Sequence, residues 1–318
     1  MKKLPRYLLA VSLCILLIAA MSGCGSIPQE TVKPSTAIVS IPPQASITPL
    51  PSTTPSPAIS YGDPLPCDKV SFKSKSLKKE MYMKVYLPKD YDAKEKYAVL
   101  YLIHGYGANE DIWGQLNLAP AAGGLFKSGK VKPYIIVTPD IGNSFGINSA
   151  KTTSTSNGMS LGPYEDYIIR DVIGYIDAHY STVKGREGRY IGGFSMGGYV
   201  ALHLGMAYPD LFSRIGGHSP AAILSGDTRS DIYYMLYYRK ADELKRSPML
   251  LAESADLSHT AIYLDCGTED RLSRGTKTLY EKLKEKGVQA EYHAFPGGHE
   301  LVYWMNHVEE YLMFYGAE

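Results

Sequence analysis

Ser195 lies between Gly193 and Gly197 in the run Tyr190–Val200, which reads YIGGFSMGGYV. A β-type run, Arg189–Ile191, leads into it, and a helix-forming run, Gly198–Ala207, follows. A G-x-S-x-G pattern in a strand–turn–helix setting is a nucleophile elbow, in which the serine sits on a strained turn. Glycines two before and two after the serine let backbone approach where a Cβ would clash. The helix that begins just past Ser195 would aim its N-terminal N–H groups and positive dipole end at a developing oxyanion. Taken alone, the pattern could equally be a Gly-rich turn with an incidental serine.

A serine hydroxyl is a weak nucleophile until a base takes its proton, and the base must be oriented by a carboxylate. On this kind of scaffold the chain order is serine, acid, histidine. His299 stands in the Gly-rich turn Pro296-Gly297-Gly298-His299, after the last strand and before the last helix. His293 falls inside that strand, His307 inside that helix, and His218 and His259 precede the acid. The acid belongs in the turn Cys266-Gly267-Thr268-Glu269-Asp270, where both Glu269 and Asp270 are candidates. Asp270 is one residue deeper in the loop; Asp265, within the strand, reads as structural. An oxyanion hole needs two backbone donors. The N–H of Met196 supplies the first, and the loop His104-Gly105-Tyr106-Gly107 supplies the second, with Tyr106 the expected donor. His104 reads as a structural ring beneath that loop.

These residues need a sheet to hold them. Met81–Leu87 alternates like an edge or hairpin strand. Tyr97–Ile103 and Tyr134–Thr138 are continuous apolar runs, as in strands buried on both faces of a parallel sheet. Tyr164–Tyr180 has helical spacing; Arg214–Gly217, Thr260–Asp265 and Gln289–Phe295 read as strands. Ser273–Lys286 reads as an amphipathic helix ended by Gly287, and Glu300–Tyr315 closes the chain as a helix. Strands alternating with helices predict a doubly wound α/β sheet whose site lies at the carboxyl ends of the strands. The segment between Gly217 and Thr260 is a candidate cap, with Tyr233, Tyr234, Tyr237 and Tyr238 either stacking on substrate or packing helices. Gly142–Gly162, rich in Ser, Thr, Asn and Gly, should be a second loop bordering the cleft.

Upstream the chain changes character. Lys2, Lys3 and Arg6 precede an apolar run from Tyr7 to Met21, a signal-peptide pattern too short for a confident membrane span. Met21-Ser22-Gly23-Cys24 resembles a bacterial lipobox, which implies a signal over 1–23 and a lipidated Cys24 anchoring the protein to the outer face of the cell membrane. Residues 24–66 read as a disordered stalk, because Gly25–Pro66 holds ten of the chain's twenty prolines and twelve Ser and Thr residues. The folded domain is expected over 67–318. Across the chain 33 basic residues balance 32 acidic ones, so no electrostatic case exists for nucleic acid. Cys67 and Cys266 are left in the domain; they could pair outside the cell, but Cys266 reads better as a buried free thiol.

The runs YLIHGYGANEDIW, TPDIGNS, YEDYIIRDVIGYIDAHY, GGFSMGGYVAL, YPDLF, CGTEDRL and PGGHELVYW together resemble the putative-esterase family of α/β-hydrolases. That family includes feruloyl and acetyl esterases, S-formylglutathione hydrolases, enterochelin esterases and mycolyltransferases. The resemblance covers nearly all of residues 70–316. It implies an α/β-hydrolase fold, a triad of Ser195, Asp270 and His299, and neither metal nor organic cofactor. Its G-x-x-D pattern favours Asp270 over Glu269. Together with the exported, stalk-borne setting it implies hydrolysis of feruloyl or acetyl esters on plant cell-wall xylan. A cell-surface acyltransferase with the same triad and a non-catalytic binding lipoprotein are the competing expectations.

Overall fold

The computed structural model describes residues 63–149, 158–221 and 231–317. The signal segment, Cys24 and the stalk as far as residue 62 lie outside the described residues, as do residues 150–157 of the loop expected over Gly142–Gly162.

Eight strands form one sheet: β1 (Cys67–Lys73), β2 (Glu80–Tyr86), β3 (Val99–Ile103), β4 (Ile135–Pro139), β5 (Arg189–Phe194), β6 (Arg214–His218), β7 (Ala261–Gly267) and β8 (Gln289–Phe295). Their order across the sheet is β1-β2-β4-β3-β5-β6-β7-β8. The β1–β2 and β2–β4 pairs are antiparallel and the rest are parallel. β3, β4 and β5 are buried almost throughout, which is why they read as unbroken apolar runs. β2 is the hairpin strand the alternation suggested, but β1, unread in the sequence, takes the edge. β1 is short on apolar signal because most of its side chains face solvent.

The helices are α1 (Ile112–Gln115), α2 (Leu118–Lys127), α3 (Tyr164–Asp166), α4 (Ile173–His179), α5 (Met196–Ala207), α6 (Asp231–Leu236), α7 (Lys240–Arg246), α8 (Pro248–Ser254), α9 (Ser273–Glu285) and α10 (Leu301–Gly316). A π-helical turn, Tyr167–Val172, joins α3 to α4, so the segment read as one helix is helical but locally underwound. Apolar side chains form a core on each face of the sheet. One includes Ile168, Val200 and Leu279 from α4's approach, α5 and α9; the other includes Trp113, Leu118 and Leu312 from α1, α2 and α10. α5 is buried nearly all round, as a helix at the centre of a doubly wound sheet must be.

A slot in the sheet fixes how α10 meets it. Gly192 and Gly216 face each other across β5 and β6, and a Cβ on either would stand 1.8 Å from the Tyr315 hydroxyl oxygen. The paired glycines leave the slot that this tyrosine fills. At the other end of the chain, residues 63–66, expected in the stalk, pack on the domain. Leu65 is buried, its N–H donates to Ala119 O at 3.2 Å, and Leu87 N–H donates to Pro66 O at 3.1 Å.

Cys67 and Cys266 are both free thiols, the first exposed and the second buried. They sit on β1 and β7, which the strand order separates by roughly 30 Å at about 4.8 Å per strand, well beyond disulfide reach.

Candidate functional site

The site forms where β5, β7 and β8 end. Ser195 has φ +56° and ψ −117°, a conformation that L-residues adopt only under strain. The surroundings enforce it. A Cβ on Gly193 would lie 2.5 Å from Gly197 backbone, and one on Gly197 would lie 2.2 Å from Ile103 O. Both glycines are therefore demanded by backbone crossing backbone, as the motif implied. The Ser195 N–H donates to His218 O at 2.9 Å, and Ser195 O accepts from Ala221 N–H at 2.9 Å, so β6 grips the turn from below. Met196 opens α5, which leaves its N–H among the first-turn groups with no partner inside the helix.

The ends of β7 and β8 are laced together. Thr268 N–H donates to Phe295 O at 2.8 Å, and Glu269 N–H donates to Gly297 O at 3.0 Å. A Cβ on Gly267 would come within 2.2 Å of Gly297 O, so the two turns are in direct backbone contact. This lacing brings Asp270 to His299: Nδ1 of the ring lies 2.7 Å from Asp270 Oδ2. On its far side Nε2 lies 2.8 Å from Ser195 Oγ. With the ring proton on Nδ1, His299 donates to the carboxylate and accepts from the serine hydroxyl. Glu269 points to solvent instead, so of the two candidate acids Asp270 is the one that meets His299.

Asp270 is buried, and its other oxygen accepts from Leu272 N–H at 2.9 Å. Burial works to raise its pKa, but the hydrogen bonds from His299 and Leu272 outweigh this and hold the carboxyl below the usual carboxylate range. It is thus kept ionised beside the His299 ring.

A cleft of about 470 Å³ opens over Ser195 and His299. Tyr106, Ile112, Leu301 and Trp304 give it apolar and aromatic walls, and Asn109 and Gln115 give it polar ones. Trp304 stacks on Phe194 at 4.4 Å between ring centroids and meets His299 edge-on at 5.0 Å. Trp304, seated on Phe194, thus braces the imidazole. Leu301 and Trp304 are three residues apart, hence on one face of α10. Neither was singled out in the sequence, although both stand in the same run as His299. The tyrosines of the candidate cap do not line this cleft. Tyr237 is buried against Tyr233, while Tyr234 and Tyr238 face solvent, so helix packing is the reading that holds for Tyr237.

His104 is buried beneath the loop, where Nδ1–H donates to Gly105 O at 2.8 Å and Nε2 accepts from Ile141 N–H at 3.0 Å. Both nitrogens are engaged, as expected of a structural ring. Tyr106 lies at the cleft beside Ser195. A second cavity of about 480 Å³, lined by Asp63, Lys89, Tyr97, Phe126 and Lys127 among others, gathers no such chemistry. Among the described residues no group of three or more His, Cys, Asp or Glu side chains is arranged to hold a metal ion.

Known proteins match this chain along most of the domain. Residues 74–315 match the family model described as "Putative esterase". The chain is 28% identical over 250 residues to an endo-1,4-beta-xylanase/feruloyl esterase of Xylanibacter ruminicola, covering 76% of this chain and 30% of that protein. It is 26% identical over 267 residues to an acetyl esterase of Caldicellulosiruptor saccharolyticus, covering 75% of this chain and 94% of that one. The solved structure of a ferulic acid esterase from Anaeromyces mucronatus, in complex with ferulic acid, superposes with a TM-score of 0.62 at 25% identity, covering 82% of this chain and 93% of that one. The match spans less than a third of the Xylanibacter protein's length, so it reaches one part of that enzyme only. Running from the β1–β2 turn to the last helix, the family match agrees with the α/β-hydrolase sheet, and the chain belongs to the putative-esterase family of serine esterases.

Proposed function

We propose that this protein hydrolyses carboxylic esters carried on carbohydrate, feruloyl or acetyl groups on a xylan-type polysaccharide, with Ser195, His299 and Asp270 as its triad. The observation that carries the reading is the unbroken hydrogen-bonded line from Asp270 through His299 to Ser195 at the floor of the cleft. Ser195 Oγ attacks the ester carbonyl as His299 Nε2 takes its proton. The resulting oxyanion faces the N–H groups of Met196 and Tyr106, and electrostatic stabilisation there is the largest single contribution in such sites. Collapse breaks the bond to the alcohol oxygen, which leaves with the proton from His299. Water, deprotonated by the same nitrogen, then attacks the acyl-enzyme, and the acid departs with Ser195 restored. Asp270 keeps the proton on Nδ1 and stabilises the imidazolium without taking a proton itself.

Aromatic walls beside polar Asn109 and Gln115 suit a ring held next to hydroxyl-rich groups. The feruloyl and acetyl esterases among the relatives point to the same substrates. We further infer that Met1–Cys24 is a lipoprotein signal and that the protein works outside the cell, held by its acylated Cys24 on the Pro-rich stalk. Globomycin-sensitive processing and palmitate labelling that disappears in Cys24→Ala would test that part.

The deciding assay measures ferulate release from methyl ferulate and a feruloylated xylo-oligosaccharide, beside acetate release from acetylated xylan. Ser195→Ala is the control. Serine-dependent ferulate release identifies a feruloyl esterase, and acetate alone an acetyl esterase. Neither product, with Ser195 still reactive toward a fluorophosphonate, would overturn the hydrolase in favour of an acyltransferase.

A further inference from the structure

His104 is buried and does not line the cleft, yet it holds the peptide that carries the Tyr106 N–H. That peptide joins Gly105 to Tyr106, so Gly105 C=O and Tyr106 N–H lie in one rigid trans plane and point in opposite directions. Whatever fixes the carbonyl therefore aims the N–H. Gly105 O accepts from His104 Nδ1–H at 2.8 Å and, at the longer distance of 3.2 Å, from Ala108 N–H. The backbone of residue 105 is also held by contact, since a Cβ there would stand 2.5 Å from the Phe194 ring.

The two partners of the ring leave it one proton arrangement. A carbonyl oxygen only accepts, so Nδ1 carries the proton. The Ile141 N–H only donates, and it meets Nε2 at 3.0 Å, so Nε2 is bare. Asp140 Oδ1 stands farther off, 3.5 Å from Nε2, and accepts from Gly142 N–H at 2.8 Å. Bond dipoles thus run head to tail from Ile141 N–H through the imidazole and the Gly105 carbonyl to the Tyr106 N–H. Hydrogen bonds in series polarise one another, and this series lies in a buried, low-dielectric layer. Each upstream link makes the last N–H a stronger donor.

We propose that His104 is a positioning residue: through its bond from Nδ1–H to Gly105 O it aims and polarises the Tyr106 N–H toward the developing oxyanion. The proposal rests on the esterase reading above, with Tyr106 as a donor. Donors of this kind act only when held to within about 0.5 Å, and the ring supplies that hold from the layer beneath the reacting atoms. Its own anchor is Ile141, just past the end of β4. The strand beside β3 thereby takes part in the rate without lending an atom to the chemistry.

The test uses the full chain with p-nitrophenyl acetate as substrate and a trifluoromethyl ketone as oxyanion-forming inhibitor. His104→Ala should lower kcat roughly 10- to 100-fold with KM changed less than about twofold, part of the loss that deleting a donor outright causes. Affinity for the ketone should fall by the same factor as kcat/KM. The pH profile of kcat/KM should keep its shape, because His299 and Asp270 are untouched. His104→Asn sets an amide N–H where Nδ1–H stood and should win back at least about threefold of the lost kcat. The unsubstituted protein gives a readout that needs no variant and decides the matter should His104→Ala fail to fold. NMR of the ring nitrogens should show the Nδ1–H tautomer, and that proton should move downfield on ketone binding, as the new charge strengthens its bond to Gly105 O. A merely structural ring keeps its signal. Full kcat in folded His104→Ala, no gain from asparagine over alanine, or an unmoved Nδ1–H signal overturns the positioning role alone. Absence of Ser195 labelling by a fluorophosphonate in the unsubstituted protein overturns the esterase reading, and this proposal with it.

Discussion

Asp265 Oδ1 lies 2.7 Å from His218 Nδ1, so the domain holds a second hydrogen-bonded Asp–His pair, fully buried, on the strands beside the elbow. The other oxygen of Asp265 accepts from Tyr303 and Tyr311 hydroxyls at 2.8 and 3.0 Å. His218 Nε2 lies 3.2 Å from the Tyr315 hydroxyl. No serine or cysteine completes this set; three tyrosines of α10 do. It is a strut that ties α10 to β6 and β7, and His218 O in turn receives the Ser195 N–H. Asp265→Asn leaves the network mismatched in a dry interior and should cost about 3–5 kcal/mol of stability. A lower urea midpoint at unchanged slope, with Ser195 still labelled in the folded fraction, is the expected result. A loss of turnover at unchanged stability would refute the structural role.

Asp270 and Glu269 are neighbours with opposite expected phenotypes. Asp270→Asn should reduce kcat by about three to four orders of magnitude, since the amide leaves His299 in the wrong tautomer. Glu269→Gln should stay within about threefold, as its side chain faces solvent. The folded pKa of Asp270 lies below its ordinary 3.8, so its contribution to stability is complete above that value. It is lost only as pH falls through the lower folded value. Any decline in activity between pH 7 and 4 should therefore persist in form when Asp270 is replaced by Glu, and a pH–rate series on the two proteins checks this.

His203 lies wholly inside α5's packing, and neither ring nitrogen finds a partner among the described residues. Burial, helped by the Arg246 charge, pushes its pKa down to about 3 from an ordinary 6.5. Below 6.5 the unfolded chain binds a proton that the folded one refuses, so stability falls as pH drops from 6.5 toward 3. At pH 5 the penalty should be about 2 kcal/mol. His203→Leu removes the proton site and should raise the thermal midpoint more at pH 5 than at pH 8. An equal gain at both would show that the histidine does not titrate on unfolding.

With Cys14 and Cys24 replaced by serine, the native domain should show one reactive thiol, Cys67, which is exposed. Cys266 is buried and its thiol is pushed up to about 12, chiefly by that burial. Titration with a thiol reagent should count one group before denaturation and two after it. Two groups before, or none after, would contradict the assignment of both as free and unequally accessible.

The site was legible where chemistry constrains the backbone. Gly193 and Gly197 could be read because no other residue tolerates the 2.5 and 2.2 Å approaches found there. His299 could be read because a Gly-rich turn after the last strand leaves few alternatives. β3 and β4 announced themselves by being apolar on both faces. What escaped notice had no such local signature. β1 exposes most of its length, α1 is only four residues long, and α2 is a short helix rich in Gly and Ala. The resemblance already favoured Asp270 over Glu269, but the contact with His299 depends on a turn held by the end of β8, more than twenty residues away in sequence. The Trp304 brace likewise depends on how α10 returns across Phe194.

The separation of Ser195 from His299, 104 residues along the chain, also governs when the protein becomes reactive. The strained conformation of Ser195 persists only once β3 and β6 flank it, and the proposed base, His299, arrives on the last turn before the final helix. Contacts at such range close late in folding, because the loop entropy is spent before they form. A chain still emerging from the ribosome thus carries an ordinary serine hydroxyl. Reactivity appears in one step with the completed fold, so every molecule that can cleave an ester has already passed a test of its own assembly.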